Sequence, residues 1–142
     1  MTYPLPAQLL PHAGSAVLLD EIVEDTDEGI IAVAAIDARH PFYVDGRGVP
    51  AWVGIELMAQ AVAAHSGLRG HLARRAPRRG MLLGTRRYRS QVPWFAENTR
   101  LHVHAAVTFG QEGGMAACAC RIVDAKRTVA EATIVIIEED AA

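Results

Sequence analysis

The chain has 142 residues, 51% hydrophobic and 21% charged, with a net charge of −2. That is the size of one domain, spanning 1–142, and it is long enough to build a core without metal or disulfide staples. The near-neutral balance excludes a global drive toward nucleic acid or membrane, and the hydrophobic fraction excludes a disordered chain.

In chain order, residues 5–10 form a short apolar segment between prolines and suit a single turn of helix. The first ten residues lack a basic region and a continuous apolar stretch, so no signal peptide is expected. No window reaches the roughly 18 uncharged apolar residues of a membrane span, and the expected compartment is the cytoplasm. Residues 16–24, with Val17, Leu18, Leu19, Ile22 and Val23, read as a strand. An Asp- and Gly-rich turn at 25–29 joins it to a second β-rich run at 30–36, which predicts a hairpin. Residues 40–50 are broken by His-Pro, Asp-Gly-Arg-Gly and Val-Pro and are expected to hold no regular element.

Residues 51–72 turn helical, rich in Ala, Leu, Met, Glu and Gln. Small residues at Gly54, Ala59, Ala61, Ala63 and Ala64 let other backbone approach on several sides, as a helix wrapped by a sheet requires. Four strands are then expected at 81–92, 100–109, 115–123 and 129–138, the last three joined by short turns at 110–114 and 124–127. The order predicts an α+β hot-dog fold: one long central helix wrapped by a curved antiparallel sheet of five to six strands, with consecutive hairpins as neighbours. An exposed sheet edge makes a dimer or a larger assembly expected.

Cys118 and Cys120 fall at i and i+2 in an apolar run, read as reduced core thiols. His102 and His104 share a strand face, but no third ligand lies near them in sequence, so no metal site is expected. His65 and His71 lie toward the helix end, where positive charge suits the dipole.

Leu-Leu-Pro-His at 9–12, Val-Leu-Leu-Asp at 17–20, Pro-Phe-Tyr at 41–43 and Glu-Leu-Met-Ala-Gln at 56–60 resemble the signature segments of bacterial beta-hydroxyacyl-acyl-carrier-protein dehydratases. The run Val-Pro-Ala-Trp-Val-Gly-Ile-Glu-Leu-Met-Ala-Gln at 49–60 is more similar still to the dehydratases of aryl-polyene lipid clusters. The resemblance implies dehydration of 3-hydroxyacyl thioesters to trans-2-enoyl thioesters. The acyl chain would ride on the phosphopantetheine of an acyl carrier protein or on CoA, with no metal or redox cofactor. It also implies a base for the C2 proton, an acid for the departing 3-hydroxyl and donors for the thioester oxygen, with the two side chains drawn from different subunits.

By that resemblance Glu56 falls on the helix carboxylate, and a carboxylate in an apolar helix needs a raised pKa or a partner. The alternative is a Glu on the helix's wet edge. Gln60, one turn on, is expected among the substrate-binding residues, where it orients Glu56, or else it ties helix to sheet. The family's Gly-His-Phe-Pro-Gly motif is absent: Phe42 stands fourteen residues before Glu56, and His40 stands sixteen before it. His40 is the expected base, or else a strand-end residue bonded to backbone; His12 is expected to be structural. Val53 and Gly54 would supply carbonyl-polarising amides, with Gly54 allowing close approach.

Eight of the fourteen basic residues lie between Arg69 and Arg89. Arg74, Arg75, Arg78 and Arg79 are the expected docking site for an acidic carrier protein or a pantetheine phosphate, against the alternative of a solvated arginine-rich loop. Too few aromatics accompany them for single-stranded nucleic acid. Three functions remain open: an active dehydratase, a non-catalytic partner subunit of a heteromeric dehydratase, and a thioesterase.

Overall fold

The computed structural model describes residues 2–10, 14–72, 78–110 and 114–140, with backbone alone at 78–83 and 138–140. His12, Arg74 and Arg75 therefore lie outside the described residues, and Arg78 and Arg79 are described by backbone only.

A short helix α1 (Pro6–Leu9) precedes strands β1 (Glu21–Thr26) and β2 (Gly29–Ile36). A two-residue strand β3 (Val49–Pro50) and a 3-10 turn (Ala51–Val53) lead into the long helix α2 (Gly54–Leu72). Strands β4 (Arg78–Ser90), β5 (Trp94–Phe95), β6 (Thr99–Gly110), β7 (Met115–Asp124) and β8 (Arg127–Asp140) follow. The main sheet is antiparallel with order β1-β2-β6-β7-β8-β4, and β3 pairs with β5 in a second, two-stranded sheet. This is the expected hot-dog arrangement.

Helix α2 buries a broad face of Leu57, Met58, Gln60, Ala61, Val62, Ala64, His65 and Leu68, while Ile55, Glu56, Ala59, Ala63 and Ser66 on its other side are only partly buried. The sheet answers with Ile36, Leu101, Val103, Ile122 and Ile134, all buried. At about 25 cal/mol per Å2, such apolar burial supplies the main force holding sheet to helix. Bulges in β1, β4 and β6 break the ladder register, and such breaks bend a sheet. Cys118 and Cys120 are buried and form no disulfide, as expected, and burial pushes the Cys120 thiol up to about 12.

Three expectations are corrected. Consecutive hairpins do not all neighbour each other: β4 crosses to the far edge and pairs with β8, while β6 pairs with β2. The first strand begins at Glu21 rather than residue 16, because side chains replace its ladder. Gln60 takes the Leu18 N–H at 2.9 Å, and the Asp20 carboxylate takes the Ala35 N–H at 2.7 Å. The 40–50 segment does contain regular structure at its end, where Val49 pairs with Phe95 and Pro50 with Trp94. Proline fits there because the strand is short and its N–H is not needed.

Candidate active site at the head of the central helix

The approach to α2 is a chain of tight turns. Asp37 accepts the His40 N–H through its carbonyl at 3.0 Å and the Arg39 N–H through its carboxylate at 2.9 Å. The His40 carbonyl accepts the Tyr43 N–H at 3.0 Å. Tyr43 donates its hydroxyl to Glu97 at 2.5 Å, which pins the loop to the segment after β5 and pushes the phenol up to about 12. These bonds fold the loop so that the His40 side chain turns inward, leaving the residue 8% exposed.

Inside, His40 Nδ1 accepts the Phe42 N–H at 3.1 Å, while Nε2 is buried with no hydrogen-bond partner among the described residues. Burial lowers the imidazole below its ordinary 6.5; Asp20 and Asp37 oppose the shift without reversing it. His40 is therefore neutral at pH 7. It lines a cavity of about 150 Å3 with Ser15, Val17, Leu18, Asp20, Ala35, Asp37, Arg39 and Pro41. Outside the cavity, Phe42 and Trp52 meet edge to face with centroids 5.2 Å apart. Both are exposed, Trp52 by 60%.

Glu56 sits half-buried in the first turn of α2, and its Oε1 accepts from Gln60 Nε2 at 2.9 Å. The partner expected for this carboxylate is thus present. Gln60 is wholly buried, and its amide also donates to the Ala16 carbonyl at 2.7 Å while its oxygen holds the Leu18 N–H. Gln60 thus bonds Glu56 and ties the helix to the segment before β1 rather than to the sheet. That segment is common ground, since Leu18 bonds Gln60 and also walls the His40 cavity.

The Val53 and Gly54 expectation meets a different geometry. The Gly54 N–H is taken by the Ala51 and Trp52 carbonyls. The space where a Cβ would stand at Gly54 is filled by the Tyr88 hydroxyl, Phe95 and Ile122. Tyr88 in turn donates to the Ala51 carbonyl. The missing side chain serves close packing of helix on sheet, and Val53 is buried in the core. Phe42, Trp52 and Tyr88 carried no expectation as site residues. The exposure of two aromatics at one helix head was the missing signal, and it needs the fold to be seen.

Away from this end, Arg69 is committed inside the chain, pairing with Asp25 and with Asp27 at 2.6 Å. Arg78 and Arg79 lie in register opposite Asp140 and Glu139 of β8. Arg86, Arg87 and Arg89 are exposed. A wider depression of about 650 Å3 crosses the sheet along the paired row Glu24, Ile31, His104, Arg121, Glu131 and Arg89. Its charges alternate in sign, as solvated cross-strand pairs do. Among the described residues no group of three His, Cys, Asp or Glu stands ready to hold a metal, and no helix is long and apolar enough to cross a membrane.

A long helix sheathed by one antiparallel sheet defines a hot-dog protein. The ApeP-like family, described as ApeP dehydratase, matches residues 4–142, and the chain belongs to that family. Among solved structures it is similar to the dehydratase heterocomplex ApeI:P from Xenorhabdus doucetiae. The TM-score is 0.90 at 26% identity, covering 97% of this chain and 93% of that one. A hypothetical thioesterase with coenzyme A from Streptococcus pneumoniae matches with a TM-score of 0.67 at 12% identity, covering 84% and 85%. A mutant of the thioesterase PA1618 from Pseudomonas aeruginosa matches with a TM-score of 0.67 at 11% identity, covering 85% and 81%. The last two show the shared fold alone. No curated protein sequence matches the chain.

Proposed function

We propose that this chain is a dehydratase subunit that converts 3-hydroxyacyl thioesters to trans-2-enoyl thioesters, in a heteromer with a second hot-dog subunit. The acyl chain rides on the phosphopantetheine of an acyl carrier protein or on CoA. Loss of water is redox-neutral, so the reaction itself calls for no redox cofactor.

One observation carries the reading: the buried neutral imidazole of His40 keeps an unpartnered Nε2 at the same helix head where Gln60 positions the Glu56 carboxylate. An unpaired buried polar atom is costly and calls for a partner that arrives from outside. Phe42 and Trp52 offer an apolar surface at that spot, the character of a subunit or acyl-chain contact. The heterocomplex named for the relative, ApeI:P, supports a second hot-dog subunit. Arg74, Arg75, Arg78 and Arg79 remain the proposed docking residues for the acidic carrier protein.

A second reading is a non-catalytic subunit that completes its partner's site. The absent Gly-His-Phe-Pro-Gly motif and the engagement of His40 Nδ1 favour it. The test is hydration of a crotonyl thioester, followed by loss of absorbance, with this protein alone and with an ApeI-type subunit. Turnover that falls at least about 100-fold in Glu56→Gln supports the catalytic reading. Turnover only in the complex, and unchanged by Glu56→Gln, replaces it with the second. Release of free thiol without enoyl consumption makes it a thioesterase.

A further inference from the structure

The position of the His40 ring fixes which nitrogen carries its proton. Nδ1 lies 3.1 Å from the Phe42 nitrogen, and that nitrogen bears a hydrogen it can only donate. An imidazole nitrogen that accepts is not protonated, so the single proton of the neutral ring sits on Nε2. Turning the ring over would put a carbon against the Phe42 N–H and leave that amide unsatisfied. The flanking turn bonds, His40 N–H to Asp37 and Tyr43 N–H to His40, hold the Phe42 amide where it is. The residue is 8% exposed, and its Nε2 is one of two buried side-chain nitrogens or oxygens without a partner among the described residues.

A base must present a lone pair, and the buried nitrogen of His40 presents a hydrogen instead. We propose, building on the dehydratase reading above, that His40 acts as a neutral Nε2–H hydrogen-bond donor to the thioester oxygen and does not remove the C2 proton. A neutral imidazole cannot give that proton away, because an imidazolate would result; it donates a bond and keeps the proton. Proton transfer then falls to Glu56. Its carboxylate takes the C2 proton, the C2–H electrons form the C2=C3 bond, and the C3–O bond breaks. The resulting carboxylic acid returns the same proton to the departing hydroxyl, which leaves as water, and Glu56 is again a carboxylate. Burial, which keeps His40 neutral, suits a donor that must never titrate during the cycle.

The test has a readout independent of turnover. Nitrogen and carbon shifts of the imidazole, with His40 among the six histidines assigned by its loss in His40→Gln, report the tautomer directly. The Nε2–H form at pH 7 is expected; the Nδ1–H form or a cation overturns the proposal. Butyryl-pantetheine, which has no 3-hydroxyl and cannot react, is then added, with pantetheine as control. Movement of the Nε2 resonance with the thioester alone is expected, and no movement overturns the donor role. In the hydration assay His40→Gln, whose amide restores an N–H near Nε2, should stay within about tenfold of wild type. His40→Ala should fall about 100-fold, the cost of removing one oxyanion donor. Equal loss in both variants overturns the proposal in favour of a base. A protein that shows the tautomer and the thioester shift yet never turns over disproves the dehydratase reading while leaving the donor intact.

Discussion

The central helix has a buried histidine near each end, and the two are buried alike, each 8% exposed. Their company differs. At the far end, His65 Nδ1 lies 2.8 Å from Asp25 Oδ1, a carboxylate with no exposed side-chain surface. Arg69 pairs with the other oxygen and reaches on to Asp27, and the Tyr3 hydroxyl accepts the Asp25 N–H. At the head, the His40 ring hydrogen-bonds a backbone amide and leaves its other nitrogen unpaired among the described residues. Burial therefore does not tell the two histidines apart; partner satisfaction does. The far end clamps α2 to the β1–β2 turn, whereas the head keeps a buried ring nitrogen with no partner among the described residues.

The largest effect should come from unpicking the clamp. Asp25→Ala leaves the buried His65 without its carboxylate and Arg69 with Asp27 alone, and breaking such a buried pair costs about 3 kcal/mol or more. Urea unfolding at neutral pH measures it. A cost under about 1 kcal/mol would mean that the far end is as open as the head, and the contrast between the two ends would fail.

Next is the packing beneath the head. Gly54→Ala drives a methyl group toward the Tyr88 hydroxyl, Phe95 and Ile122. Overpacking of this kind costs about 1–3 kcal/mol. Phe95 and Ile122 are both fully buried. The same unfolding experiment reads the loss, and a neutral result would show that α2 shifts outward with ease.

Trp52→Ala separates chain stability from assembly. A side chain 60% exposed contributes little to its own chain, and surface changes usually stay within about 0.5 kcal/mol. If Phe42 and Trp52 are covered by a partner, the substitution weakens association at least about tenfold, as buried aromatic anchors do. Titration calorimetry with the second subunit checks this. Unchanged affinity would move the interface elsewhere on the chain.

Much of the fold was legible in the sequence because its signals are local. The helix-forming run with Ala59, Ala61, Ala63 and Ala64 and the alternating apolar strands set element types with near-correct bounds. What was not legible depended on contacts far apart in sequence. The delayed start of β1 rests on Gln60, 42 residues after Leu18, and β3 exists only because Trp94 and Phe95 come back to it. At the site, Glu56 and Gln60 could be picked from their spacing, and their hydrogen bond follows from i,i+4 geometry. The His40 tautomer could not, since it depends on a turn whose bonds the sequence shows only as a Pro-rich break. Arg69 read as part of a basic patch, although Asp25 and Asp27 claim it across the fold.

The smallest effect is also the one that isolates His40. Its native pKa lies below 6.5, chiefly through burial, so as pH falls through 6.5 the unfolded chain takes up the proton before the folded one does. The unfolded state then binds more protons, so stability rises with pH across that window and declines on acidification until the native pKa is reached. One group contributes at most about 1.4 kcal/mol per pH unit. His104 is lowered by its own burial and by Arg121, so it adds a slope of the same sign, and wild-type data alone cannot assign the slope. Subtracting His40→Gln, which does not titrate, removes everything the two proteins share. The difference should be flat above about pH 7.5, with wild type losing ground to the variant below about 6.5. A difference that stays flat down to about pH 5 would mean that His40 gains a proton as readily folded as unfolded. Its surroundings at the head would then be as wet as solvent, and the sealed, unpaired nitrogen that distinguishes the head from the clamp would be gone.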